Sequence, residues 1–561
     1  MKRCKPMILL LTVLLTAIAV VFGRNEIGMR NFPFSVMVTS DGGQQELSCM
    51  KLGGEFYVFL PSYAEGDAAR ICTNPIYDVY IEDQKLIQNQ SCEDFPANRK
   101  LDLYFRSLGN EGYETVTFVR SGNVATMYID VPSGNMDYIH AEKGNAEAAS
   151  VQLYTADGRL DYDGAARSVK GRGNATWEEA EKKPYSLKLL HEADLLGLGK
   201  AQNWVLLSNV WDASHIRNKI AYDTAAAAGM PFAPKCNWVD LYLNGEYAGL
   251  YLLSERNEIH PERVDIPKES GFLVSLEFHY RLVEQEYAHV DTERGLALRI
   301  HDSSMPAPEL QALWQSVENA ILSEDGIDPV TGKHWEALID LDSWAHKYLL
   351  EELFGNYDAG SISQYFYCDT SKPSAKIYAG PIWDFDNAMG RGGWVVSNPR
   401  SVLAARTHFF SREDAPLFHS LYQKESFYNR VVELFATVYE PLFIQLLDQG
   451  LQTYAESVSQ AQAANQCRWG ATGPQDMEKI KQYLSERLAF FHDMWINQTE
   501  YCVEEITYDY KVWTCWMVPK GSVLSELPGE QTLQWYDALT GEPFDITQPI
   551  ATDMRLVPLT E

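Results

Sequence analysis

The chain is 561 residues long, 46% hydrophobic and 12% aromatic, with a formal charge of −30. That length gives room for two to four domains with their own cores, and the composition excludes disorder as the dominant state. The charge argues against nucleic acid, whose phosphates are neutralised by Lys and Arg, and against adhesion to anionic lipid; it suits a secreted protein or one with basic partners.

Lys2, Arg3 and Lys5 precede an apolar run, Met7–Phe22, and the small residues Val21 and Gly23 stand just before Arg24. This reads as an export signal over residues 1–23. The run is short for a spanning helix, so a cleaved signal, no stable transmembrane span and a secreted or cell-surface location are expected. Eight cysteines follow the signal, and an exported chain could pair them, with Cys502 and Cys515 across a hairpin as the best candidates. No C-x-x-C or His-x-x-x-His spacing occurs, so a structural zinc site is not expected.

Residues 24–122 read as a β-sandwich-like domain. The segments FYVFLPS, YDVYIED, LDLYFRS and YETVTFVRS are short alternating strands between Gly, Asn and Asp clusters. Residues 123–500 are α+β, with strands to about Glu277 and helices from Pro306 onward. Hairpin strands fall at Ser168–Gly173, Pro184–Leu190, and Trp238–Asn244 with Tyr247–Glu255 around the turn signal Asn244-Gly245. One helix lies among them, Ser214–Ala228, with Asp212 or Ser214 as cap, Ile216, Ile220 and Thr224 on one face, and Gly229 as stop. Further helices are expected at Glu309–Leu322, Ile339–Phe354, Glu425–Gln449 and Gln475–Trp495. Residues 501–561 return to strands. In that tail Val518-Pro519-Lys520-Gly521, Trp535-Tyr536-Asp537, Thr540-Gly541 and Pro549-Ile550 resemble the internalin-type B repeat, which implies a small β module for surface contact.

The stretch Ile377–Gly390, IYAGPIWDFDNAMG, carries the sharpest chemical signal. An apolar strand is expected to run into Trp383-Asp384-Phe385-Asp386, where two carboxylates among aromatics would suit a cation. Asp358 stands upstream in a loop after the Ile339–Phe354 helix. A helix, an Asp-bearing loop, a strand and an Asp-x-Asp turn is the order in which kinases place base and metal ligand. Upstream, Lys170-Gly171-Arg172-Gly173-Asn174 is a Gly-rich turn with a cation suited to phosphate, and Lys188 lies on a strand where it shares a face with Ser186.

The blocks Gly171–Trp177, Lys183–Lys188, Ile216-Arg217-Asn218, Leu241–Gly245, Gly249–Glu255, Asn356-Tyr357-Asp358 and Gly380–Asp386 resemble, in order and spacing, the spore coat protein H (CotH) kinase family. The resemblance covers about two-thirds of the chain. It implies a bilobal atypical protein-kinase-like core, with a β-rich N-lobe and helical C-lobe, that transfers the ATP γ-phosphate to protein hydroxyls. By the same carry-over Asp358 is the catalytic-loop Asp, and Asp384 is the Mg²⁺ or Mn²⁺ ligand with Asp386 as second ligand or outer partner. Lys188, with Arg172 and Arg217, would hold phosphate charge, and Glu255 would hold ribose or partner a cation. Where such kinases carry an Asn soon after the catalytic Asp, this chain has Ser361-Ile362-Ser363-Gln364-Tyr365, leaving Gln364 or Ser363 to take that metal position.

Three functions are therefore weighed. The first is a secreted kinase acting on Ser/Thr hydroxyls of surface or coat proteins. The second is a non-catalytic cell-surface or envelope-binding protein on a kinase-like scaffold. The third, a carbohydrate-active enzyme, ranks last: its two carboxyls must sit about 5–9.5 Å apart across a sugar, whereas Asp384 and Asp386 share one turn.

Overall fold

Alternation along the first strands sets their packing. On Lys100–Ser107, Leu101 and Leu103 are buried while Lys100 and Asp102 are exposed, the period-two signature of a half-covered sheet. The computed structural model describes residues 32–292, 296–391, 398–400, 402, 417–470, 476–506, 513–524, 534–537 and 540–559; the expected signal lies outside them. The described chain is mixed α and β, with several separate sheets. It divides into two compact units: residues 1–210, 236–255 and 456–472 form one, and residues 211–235, 256–455 and 473–561 the other.

The first unit opens with a three-stranded sheet, ordered Gly43–Ser48, Phe34–Ser40, Ala69–Thr73, and a six-stranded sheet in which Glu55–Leu60 runs parallel to Asn110–Arg120. Phe34, Val36 and Ile71 from one sheet share a core with Val58, Leu101 and Phe118 from the other. The hairpin segments expected downstream are longer than the sequence suggests and close into a barrel. Its order is Ala125–Asp130, Ala146–Tyr154, Leu160–Gly171, Tyr185–Asp194, Lys200–Leu207, Glu246–Glu255, Cys236–Leu243, and the last strand pairs in parallel with the first. Met127, Val151, Leu187, Trp204, Leu241 and Leu253 fill the interior. Asn244 and Gly245 both have positive φ (49° and 78°), as the tight turn between the last two strands demands.

The second unit holds a five-stranded antiparallel sheet, ordered His289–Asp291, Leu296–Ser303, Gly271–Phe278, Gln364–Asp369, Tyr378–Ala379. The first three of these strands and the fourth were not singled out as strands in the sequence. The expected strand at Ile377 proves to be two residues long, because Pro381 has no N–H to continue a ladder. Helix Ala307–Leu322 buries Leu310, Trp314, Val317 and Ile321 at helical spacing. Helix Leu341–Phe354 is capped by Asp340, whose Oδ1 accepts the Ser343 N–H at 2.9 Å, and ends at Gly355 with φ 60°. The helix expected over Glu425–Gln449 instead runs from Glu425 to Trp469 through two π-helical segments, Phe435–Tyr439 and Leu446–Gly450. Pro441, which cannot donate to the residue four before it, stands two residues after the end of the first of them. Tail strands Trp513–Pro519, Glu500–Ile506, Met554–Leu559, Gln534–Asp537 and Pro543–Phe544 form a five-stranded sheet.

No helix among the described residues is long and apolar enough to cross a membrane. Cys49, Cys72, Cys92, Cys236, Cys368 and Cys467 are free thiols, and four of them pack as small buried hydrophobes. The backbone register sets Cys502 against Met517 and Cys515 against Glu504, so the two are not cross-strand partners.

Candidate active site

Helix Arg217–Ala227 belongs to the second unit, and its first turns fix the Trp383–Met389 loop. The sequence makes this helix with an Asp212 cap: Asp212 accepts from the Ser214 and Arg217 backbone N–H groups at 3.1 and 2.9 Å. The Arg217 guanidinium pairs with the Asp212 carboxylate, and its Nε donates to the Ala388 carbonyl at 2.9 Å. One residue on, Asn218 Oδ1 accepts the Phe385 N–H at 2.7 Å. A turn later, Tyr222 accepts the Asp384 N–H at 3.4 Å and stacks on Trp383, ring centroids 5.8 Å apart. The loop so held turns at Asp384, whose φ of 69° is rare for a residue with a side chain and marks a position imposed by its surroundings.

Asp358 comes to the same place from the end of helix Leu341–Phe354. Its N–H donates to Asn356 Oδ1 at 3.3 Å, and Asn356 Nδ2 donates to the buried Glu351 at 2.8 Å. Its carbonyl collects the Ser361 N–H and hydroxyl at 3.0 and 2.9 Å and Gln364 Nε2 at 3.3 Å. The Asp358 carboxylate itself receives no hydrogen bond among the described residues. Ser363, also at positive φ (57°), donates from its hydroxyl to Asp384 Oδ2 at 3.1 Å.

Electrostatics bind these groups into one acidic basin. Burial, then the charges of Asp384, Asp386, Glu277 and Glu351, push the Asp358 carboxyl well above the usual range. Burial, then Asp384 and Asp212, push Asp386 up likewise, against Arg391 and Arg217. Burial would raise Asp212 too, but Arg217 and the Ser214 hydroxyl outweigh it and hold that carboxyl low. So Asp212 is a cap whose charge Arg217 balances, whereas at Asp358 and Asp386 burial and neighbouring acids prevail and ionisation is costly. Gln364 is 1% exposed and its Oε1 has no hydrogen-bond partner among the described residues. Half-buried carboxylates of Asp358, Asp384 and Asp386, with the Gln364 amide oxygen nearby in the chain fold, offer the oxygen donors that a hard divalent cation takes, so these residues fit one.

The second unit therefore brings together Asp358, Asp384, Asp386, Gln364 and Arg217. Arg217 spends its guanidinium on Asp212 and the Ala388 carbonyl. Lys188, Arg172 and Glu255 belong to the first unit. Lys188 is half-buried between Ser168 and Asn203, on the opposite strand face from the core residues Leu187 and Leu189, and its ammonium makes no hydrogen bond or ion pair among the described residues. Arg172 follows the adjacent strand, and its N–H donates to the Pro184 carbonyl at 3.2 Å. Glu255 is buried and registers with Trp204, which registers with Leu187, so it aligns with the Leu187 row rather than with Lys188.

Several participants escaped the sequence reading. Asp212 was visible only as a cap and Tyr222 only as part of a helix, and Asn218 stood in the Ile216-Arg217-Asn218 block with no role given to it. Glu277, Glu351 and Arg391 had no local signal, because they reach the basin through tertiary structure. Lys182, given no role in the sequence reading, takes no part in the basin: it is fully buried in the first unit, donates to the Ser208 and Leu250 carbonyls, and lies 4.6 Å over the Tyr251 ring. A lysine so tied is structural glue between strands.

A family model described as CotH kinase protein matches residues 169–491, more than half of the chain. The chain belongs to the CotH kinase family. Membership makes it a kinase-like protein, and the family suggests ATP, a divalent metal and a protein substrate in general terms. The match begins within the barrel strand Leu160–Gly171 and ends in helix Asp476–His492, so it takes in every residue of the acidic basin. No curated protein matches the chain.

Proposed function

We propose that this protein is a secreted, bilobal kinase that moves the ATP γ-phosphoryl group onto Ser or Thr hydroxyls of surface or coat proteins. The observation that carries the reading is the basin itself: Asp358 and the Asp384–Asp386 turn, on separate elements, held within electrostatic range by helix Arg217–Ala227 and by Ser363. When bound, ATP would supply the phosphoryl group and a Mg²⁺ or Mn²⁺ ion would offset its charge. Asp384 and Asp386 would hold that ion, with Gln364 offering its unpartnered oxygen. Asp358, whose backbone is fixed and whose carboxylate is bare, would accept the hydrogen bond of the acceptor hydroxyl and aim its oxygen. By the family resemblance Lys188, whose ammonium has no partner among the described residues, is assigned to phosphate, as is Arg172, and Glu255 to ribose or a cation. The export signal over 1–23, the domain limits 24–122, 123–500 and 501–561, and a B-repeat-like contact role for the tail belong to the same proposal.

Incubation of the purified chain with γ-labelled ATP, Mg²⁺ or Mn²⁺, and a Ser/Thr-rich protein acceptor tests it. Label on acceptor or chain, abolished in Asp358→Ala, is the expected result. Nucleotide binding without any transfer would favour the scaffold reading, which the Gln364 substitution supports. Absence of both would overturn the kinase proposal.

A further inference from the structure

The segment after strand Gly271–Phe278 carries a second group of ligating side chains, separate from the basin. His279, at the start of the short helix His279–Glu284, joins His289 and Asp291 of strand His289–Asp291, and one ligand atom from each lies within 4.8 Å of the others. Strand alternation explains the pairing of the last two: Val290 points into the core, so His289 and Asp291 share the outer face. His279 Nδ1 stands 2.7 Å from Asp291 Oδ1, and the two imidazoles meet edge to face with centroids 5.4 Å apart. An independent contact fixes the remaining ring. His289 Nδ1 lies 2.7 Å from the Tyr287 carbonyl, which can only accept, so Nδ1 carries the proton and Nε2 keeps a bare lone pair. A histidine held by a backbone carbonyl through one nitrogen, with the other left open, is the arrangement found behind metal-ligating imidazoles.

We propose that His279, His289 and Asp291 bind one zinc-class divalent transition metal ion. Two imidazoles and one carboxylate exclude magnesium as the preferred ion, since it favours an all-oxygen shell, and suit Zn²⁺ at four-coordination. His289 would ligate through Nε2, His279 through Nδ1 with its ring proton moved to Nε2, and Asp291 through Oδ1. The side chains of His279 and Asp291 are 49% and 60% exposed, which leaves room for water as the fourth ligand. Sequence spacing hides this site, because His279 and His289 are brought together by the fold rather than by a short motif. The ion would tie the helix start to the strand two residues beyond Glu277, a residue whose charge reaches Asp358.

The test uses the full chain, thiol-alkylated so that cysteines cannot bind metal, stripped of metal and held in excess Mg²⁺. Calorimetric titration with Zn²⁺ should show one equivalent bound. His279→Ala and His289→Gln should each weaken it by at least about tenfold, with unchanged far-UV circular dichroism, while Asp384→Ala keeps the wild-type affinity. Co²⁺ in place of Zn²⁺ should give the visible absorption of a four-coordinate nitrogen–oxygen site. Absence of saturable binding at one equivalent, wild-type affinity in either histidine variant, or loss of binding in Asp384→Ala would each overturn the proposal.

Discussion

Asp328 and Asp358 lie in the same unit, and they show what a fold does with a carboxylate it needs and one it leaves open. Asp328 is fully buried and saturated: it accepts from Ser316 Oγ at 2.6 Å, from the Val330 and Thr331 N–H groups at 3.1 Å each, from Asn319 Nδ2 at 3.1 Å, and from the Thr331 hydroxyl. Burial would raise its proton affinity, yet the Ser316 and Thr331 hydroxyls and the other donors outweigh it and hold it below the usual range. Asp358 has its backbone fixed as firmly, but its oxygens are bare and its neighbours are acids. A carboxylate whose every lone pair is used closes a loop. One held rigidly among like charges is kept for something that is not part of the chain.

The largest break in this comparison is catalytic. Asp384→Ala should cost transfer about 10²- to 10⁴-fold, about 3–5 kcal/mol, and nucleotide affinity with it. Asp358→Ala should lose a similar factor in transfer with ATP affinity nearly unchanged, read by initial rates beside equilibrium binding. Asp328→Ala should leave nucleotide affinity intact but lower unfolding free energy by about 2–4 kcal/mol in urea, since it strands several buried donors. The pH signature follows in sign. A carboxyl whose folded proton affinity is depressed contributes fully above its unfolded value near 3.8 and loses that contribution as pH falls through the lower folded value. Wild-type stability should thus fall in acid in a way that Asp328→Ala lacks.

Smaller effects sharpen the other side. Asp358→Asn should stabilise the metal-free protein by about 1–2 kcal/mol near neutral pH, because a carboxyl whose proton affinity rises on folding costs stability above its unfolded value and the amide does not, and a lower melting temperature than wild type would contradict the crowded basin. Smallest of all is Gln364→Asn. Mn²⁺ tolerates looser ligation than Mg²⁺ and is expected to support nucleotide binding better; the variant should narrow that gap by about two- to fivefold if residue 364 ligates. Identical metal dependence in both proteins would remove Gln364 from the ligand set.

Local signals carried much of this into view. The Asn244-Gly245 turn, the Asp212 cap, the Leu341–Phe354 helix and the Asp-x-Asp turn each depend on neighbours in sequence, and each could be read there. The barrel could not be foreseen, because closure rests on a parallel pairing of Ala125–Asp130 with Cys236–Leu243, more than a hundred residues apart. The strands at Leu296–Ser303 and Gln364–Asp369 were hidden by polar and aromatic residues that only their sheet partners explain. Asp358, Asp384 and Asp386 could be singled out in the sequence, and the fold brings them within electrostatic range of one another, while Glu277, Glu351 and Arg391, which add to their charge environment, could not.

The alternation of segments between the two units has a consequence for how the molecule is made. Six stretches alternate, so the chain passes from one unit to the other five times, and the first unit takes its last contribution from residues 456–472. There Asn465 Oδ1 accepts the Leu250 N–H at 3.1 Å and Trp469 Nε1 donates to the Ala248 carbonyl at 2.9 Å, on a strand synthesised some two hundred residues earlier. A ribosome delivering this chain from its N-terminus leaves that strand waiting for its partners through most of synthesis, with the loop-closure entropy of a long intervening segment still to be met. No single proteolytic cut or truncation can liberate either unit whole. Fragments ending near residue 256 should therefore be recovered as aggregates, whatever the quality of the barrel they contain.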